Sequence, residues 1–87
     1  MATVKIPSLM RDLTGGEAQV DVSGRTLRHV IDALDHIYPG VKIRLCEGER
    51  LNPIIAASVD GRISRLGLSQ PVDADSEIRF LLPVHGG

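Results

Sequence analysis

The chain has 87 residues, 43% of them hydrophobic and 24% charged, the proportions of one small folded domain rather than a disordered chain. A net charge of −1, with Tyr38 and Phe80 as the only aromatic residues, excludes a strongly basic footprint and a base-stacking platform, so no nucleic-acid partner is expected. One cysteine, Cys46, excludes an internal disulfide; no window approaches the roughly 18 apolar residues of a membrane span and no signal peptide precedes the first strand pattern, so a cytoplasmic protein without membrane contact is expected.

Thr3–Pro7 alternates, with Val4 and Ile6 on one face, and reads as a half-buried strand that ends where Pro7 lacks an N–H. Ser8 to Gly16 is a connection, and its terminal Gly15-Gly16 permits a reversal into Glu17–Val22, where Ala18, Val20 and Val22 face inward. Two such runs across a glycine turn form an antiparallel pair.

Thr26 is placed to cap a helix over Leu27–Tyr38. Leu27, Val30, Ile31, Leu34, Ile37 and Tyr38 share about 120° of arc, while Arg28, His29, Asp32, Asp35 and His36 take the other side. His29 and His36 have no third ligand nearby and read as a solvated face, not a metal site. Pro39-Gly40 ends the helix.

Val41–Leu45 reads as a helical turn, Cys46 as a small buried hydrophobe, and Glu47–Arg50 as a polar loop. Ile54–Val59 is a strand, and Asp60-Gly61 is a hairpin signal leading into Arg62-Ile63. Leu66 and Leu68 form a connector tucked under the sheet. Pro71 to Ser76 turns, and the acidic residues Asp73, Asp75 and Glu77 read as that turn's solvated surface, not as a cation site. Glu77–Leu82 alternates Ile78, Phe80 and Leu82 inward and runs into Pro83-Val84-His85-Gly86-Gly87.

The fold class these elements define is α+β: a mixed sheet of four to five strands with one main helix on one face. All apolar faces are buried when the last strand lies beside the first, parallel to it, in the middle of the sheet. That is the β-grasp, or ubiquitin-like, arrangement. A ferredoxin-like sandwich would need a second long helix. Residues 1–83 are expected to form the domain, and 84–87 a flexible tail.

No phosphate loop, dinucleotide fingerprint or nucleophile elbow is present, so the chain reads as a substrate or partner of enzymes and not as an enzyme. At background glycine frequency a terminal Gly-Gly arises in roughly one chain in two hundred. Without Cβ atoms, however, the pair can thread a channel too narrow for side chains.

Over nearly its whole length the chain resembles the MoaD/ThiS family of ubiquitin-like sulfur carriers. The resemblance is carried by Val4-x-Ile6-Pro7-x-Leu9-x-Arg11 with Thr14-Gly15-Gly16, by Gly24-x-Thr26-Leu27, by Val59-Asp60-Gly61, by Val72-x-Ala74-Asp75-Ser76-Glu77-Ile78, and by Leu82-Pro83-Val84-His85-Gly86-Gly87. Within the family, the runs around Pro7 and Pro83 look most like the carriers that deliver sulfur for cysteine synthesis. His85 departs from the small residue usual before the glycines.

The resemblance implies that a ubiquitin-activating-type enzyme adenylates Gly87, and that a sulfurtransferase or cysteine desulfurase supplies sulfur to make a thiocarboxylate. A synthase then accepts the sulfur, most naturally for cysteine and otherwise for molybdopterin, thiazole or thiolated tRNA. ATP and Mg belong to the partner, and no cofactor or metal is bound by the chain itself. Gly86 is part of the threaded tail, and Arg11, Leu81, Pro83, Val84 and His85 are implied as partner-docking residues. The same activation chemistry also serves an alternative, conjugation of Gly87 to other proteins as a modifier.

Overall fold

Strand β1 (Ala2–Lys5) buries Ala2 and Val4, and the same face continues to Ile6. The structure, a computed structural model, describes residues 1–83. Pro7 ends β1 and opens a 3-10 turn, Ser8–Met10, that buries Met10. Thr14, itself buried, donates its hydroxyl to the Glu17 carbonyl at 2.8 Å and so closes the reversal. Strand β2 (Gln19–Val22) returns antiparallel, Val20 opposite Val4 and Val22 opposite Ala2.

Ala18, expected to face inward, is exposed, and Val20 is only half-buried. β2 is an edge strand and the helix that follows it departs from the Val22 end, so cover fades toward Ala18. Pairing still reaches that residue, whose carbonyl accepts from the Ile6 N–H at 2.9 Å.

Helix α1 (Leu27–Ile37) starts where expected: the Thr26 hydroxyl accepts from the His29 N–H at 3.3 Å. Leu27, Val30, Ile31 and Leu34 are buried. Ile37 is 51% exposed, against expectation. It lies about 80° from Leu27 around the axis, at the margin of the apolar stripe and in the last turn. The approach to α1 is tight, because a Cβ on Gly24 would sit 2.8 Å from the Val30 nitrogen and 2.9 Å from its Cγ2. Gly24→Ala is therefore expected to cost about 1–3 kcal/mol and to lower the thermal midpoint, followed by circular dichroism, by about 5–20 °C.

The Asp35 carboxylate accepts from the backbone N–H groups of Gly40 (3.1 Å) and Lys42 (3.0 Å), tying α1 to the short helix α2 (Val41–Leu45). Glu47–Arg50, expected as a loop, is instead a small ribbon of β3 (Cys46–Glu47) and β4 (Arg50–Leu51), with Cys46 opposite Leu51. A two-residue loop with glycine first, Gly48-Glu49, is the signal that identifies it.

Strand β5 (Ala56–Val59) begins two residues later than the periodicity indicates. Asn52 captures the N–H groups of Ile54 (3.1 Å) and Ile55 (2.9 Å) in a turn, which leaves Ile54 63% exposed. Asp60 and Gly61 have φ of 52° and 82°, the two positive values of a type I′ hairpin, and lead into β6 (Arg62–Ile63). In the next connection only Leu68 is tucked in; Leu66 is exposed.

Strand β7 (Glu77–Leu81) buries Ile78 and Phe80. The sheet order is β2-β1-β7-β5-β6. β7 runs parallel to β1, with Thr3 opposite Glu77, and antiparallel to β5, with Ala56 opposite Leu81. The expected β-grasp, with the last strand central beside the first, is the fold observed, and one core cluster joins α1 and α2 to the sheet.

Candidate functional site

The central strand β7 ends at the site of interest. Ile78 and Phe80 point into the core, so Arg79 and Leu81 project from the opposite face of the sheet, Leu81 half exposed. Leu82 turns back and packs against the core, as its alternation predicts, and Pro83 is half-buried beside it. Val84, His85, Gly86 and Gly87 lie outside the described residues. Four residues of extended chain reach about 13–14 Å.

The start of β7 is fixed as firmly as its end. Asp60 accepts from the Ser76 hydroxyl (3.0 Å) and the Glu77 N–H (2.9 Å), while its own N–H donates to the Glu77 carbonyl (2.8 Å). The acidic turn before it is closed by Ser76, whose hydroxyl accepts from the Asp73 N–H at 2.9 Å. Asp73 and Asp75 lie in that turn and Glu77 opens β7; among the described residues no group of His, Cys, Asp or Glu is placed to hold a metal ion.

On the outer face the register places Gln19, Lys5, Arg79, Ser58 and Ile63 in one row across the strands. Lys5, Arg79, Arg11 and Leu81 border a cavity of about 380 Å³ there. Arg11 is exposed, and its Nε donates to the Ile6 carbonyl at 3.2 Å. Its own carbonyl accepts from the N–H groups of Thr14 (3.2 Å) and Gly16 (2.8 Å). It therefore organises the turn after β1 as well as contributing positive charge near the exit.

A second cavity, about 350 Å³, lies on the other side of the exit and is lined by Leu9, Arg44, Ile54, Leu82 and Pro83. Leu9, Ile54 and Leu81, 57%, 63% and 50% exposed, thus make an apolar collar beside Leu82. The structure places Arg11 and Leu81 at the first cavity and Pro83 at the second. It adds Leu9, which sits in a connection of no obvious pattern, and Ile54, which the alternating run assigns to a strand.

Cys46 is half-buried and free, and partial burial raises its thiol pKa above the ordinary value while nearby Lys42 opposes the shift. A thiol held in its neutral form is a poor nucleophile. His29 and His36 are both exposed on α1. Among the described residues no helix is long and apolar enough to cross a membrane.

A β-grasp sheet whose middle strand ends at an apolar and basic rim defines the ubiquitin-like class of fold. The chain belongs to the ThiS family, whose sequence profile matches residues 4–87. It is 34% identical over 91 positions to sulfur carrier protein CysO of Mycobacterium tuberculosis, covering 98% of this chain and 97% of the relative. The CysO structure from an Amycolatopsis orientalis BexX/CysO complex superposes with a TM-score of 0.96 at 34% identity, each chain covered completely. Small archaeal modifier protein 1 of Methanosarcina acetivorans is similar with a TM-score of 0.82 at 27% identity, over 99% of this chain and 95% of that one.

Proposed function

We propose that the protein is a sulfur carrier whose Gly87 carboxylate is converted to a thiocarboxylate, with cysteine synthesis as the first destination for the sulfur. The observation that carries this reading is the exit itself. The central strand, anchored by Asp60 at its start, delivers Leu81, Leu82 and Pro83 to a collar, and Val84-His85-Gly86-Gly87 follow in the sequence. Pro83 restricts its own φ and sets the direction of departure, while Gly86 and Gly87 enter a narrow channel in the partner.

A carboxylate is a poor acyl donor. In a partner of the activating type, a Gly87 oxygen attacks the α-phosphorus of Mg-ATP, and the bond to the departing pyrophosphate breaks. The terminal sulfur of a persulfide on a sulfurtransferase or cysteine desulfurase then attacks the acyl carbon and AMP leaves; a thiol cleaves the resulting acyl disulfide, taking the enzyme's sulfur into a disulfide and releasing the thiocarboxylate. The thiocarboxylate remains on its protein handle for a sulfur-accepting synthase. ATP and Mg act in the partner, and the chain's own residues bind and orient. Among them, Arg11, Leu9, Ile54 and Leu81 dock, and Val84 and His85 occupy the channel mouth.

Intact mass spectrometry of the protein from its native cells tests the reading. A mass gain equal to exchange of one oxygen for sulfur is expected, and its absence under sulfur-replete growth overturns it. Similarity to small archaeal modifier protein 1 supports a second reading, conjugation of Gly87 to lysines of other proteins, which the same cells would reveal as branched Gly-Gly remnants. For docking, Leu81→Asp is expected to raise the KM of the activating enzyme for this protein about tenfold, because a half-exposed apolar contact is lost and a carboxylate must be desolvated at the interface. Steady-state pyrophosphate release measures this, with kcat and the melting temperature little changed.

A further inference from the structure

The chain contains ten basic residues, of which only Lys5 and Lys42 are lysines and eight are arginines. The Lys5 ammonium donates to the Gln19 side-chain oxygen at 2.5 Å and lies 3.8 Å from the Glu77 carboxylate. The Lys42 ammonium lies 2.8 Å from the Asp32 carboxylate. The other cations at the two cavities flanking the tail exit, Arg11, Arg79 and Arg44, are all arginines.

We propose that this distribution sets the acceptor specificity of the activated tail: with two lysines, both engaged by oxygen atoms, and arginines at the exit, Gly87 is withheld from its own chain's lysines and left for sulfur. The inference rests on the carrier reading above and adds the acceptor that must be excluded.

The competing reaction is aminolysis. A neutral lysine Nζ attacks the Gly87 carbonyl carbon, the bond to the leaving group breaks, an isopeptide forms, and the nitrogen releases its extra proton to solvent. A guanidinium stays protonated in proteins and offers no lone pair for this attack, so arginine supplies charge at the exit without supplying an acceptor. For lysine only the deprotonated fraction reacts, and each unit of upward pKa shift reduces it tenfold. Asp32, through its hydrogen bond and its charge, raises the pKa of Lys42. Lys5 is level with Arg79 in the sheet, two residues before Leu81, and is the lysine whose strand position is nearest the exit.

The full chain is prepared with Gly87 as a small-thiol thioester by intein cleavage, so that no activating enzyme takes part, and held at mildly alkaline pH. Intact mass and peptide mapping follow loss of the thiol and formation of lactam or covalent dimer. The wild type is expected to decay by hydrolysis and to yield thiocarboxylate when sulfide is added. Arg79→Lys and Arg11→Lys are each expected to form at least about tenfold more isopeptide, mapped to the substituted position. Asp32→Asn is expected to increase acylation of Lys42 about three- to tenfold.

Two arginine variants are used because Arg11 also supports the turn after β1, and circular dichroism verifies that each is folded. Wild-type isopeptide at the level of Arg79→Lys overturns the inference, as does wild-type behaviour of both arginine variants. Either result leaves the carrier reading intact. Absence of thiocarboxylate from native cells would remove that reading without altering this measurement.

Discussion

Removal of Gly87 is expected to leave a folded protein that no activating enzyme can adenylate. Strand β7 ends at Leu81, and Leu82 packs against the core beyond it. Among the described residues no pairing in the sheet goes beyond Leu81, and the melting temperature is expected to match that of the intact chain. The shortened chain ends in the Gly86 carboxylate, about 3.5 Å short of the original position. A reacting group misplaced by about 1 Å can lose a hundredfold in rate, so a shortfall of this size reduces ATP–pyrophosphate exchange by at least about a hundredfold. Exchange activity and thermal unfolding, measured on the same preparation, check both halves. Retained exchange, or a collapsed melting curve, would refute the proposed separation of domain and tail.

The largest expected effect on stability comes from Ile78→Ala. Ile78 is fully buried in the central strand, opposite Val4 of β1 and Val59 of β5, so truncation opens a cavity where both neighbouring strands meet the helix layer. Comparable core truncations cost about 3–4 kcal/mol, about a quarter or more of the roughly 4–13 kcal/mol available to a domain of this size. A fall in melting temperature of about 12–25 °C is expected. Arg79→Ala, one residue along and pointing outward, is the control and should change stability by no more than about 0.5 kcal/mol. Urea unfolding of the two variants distinguishes burial from a general intolerance of the strand.

The fold was largely legible because its governing signals are local. Thr26 before an apolar stripe, Asp60-Gly61 between two strand runs, and the alternation of Ile78, Phe80 and Leu82 each act over a few residues. The misses occur where neighbours decide the outcome. Ala18 obeys the strand period but has lost its cover at the edge, and Ile37 belongs to the stripe but lies beyond what the stripe packs on. Ile54 continues an apolar run that Asn52 diverts into a turn.

The site divides in the same way. Pro83 and the glycines are contiguous and can be read directly, whereas Leu9, Ile54 and Leu81 are far apart in the chain and become a collar only when the sheet assembles. The arginines at the exit likewise gain meaning from their position, since the count alone says nothing of where they stand.

The parallel pairing of β1 with β7 also has a mechanical consequence. A partner that grips the tail and draws it inward pulls along β7, whose hydrogen bonds to β1 on one side and β5 on the other lie across the direction of pull. Those bonds are loaded together in shear and cannot be peeled away one at a time, so the protein can be held under tension by its tail while the sheet behind it stays closed.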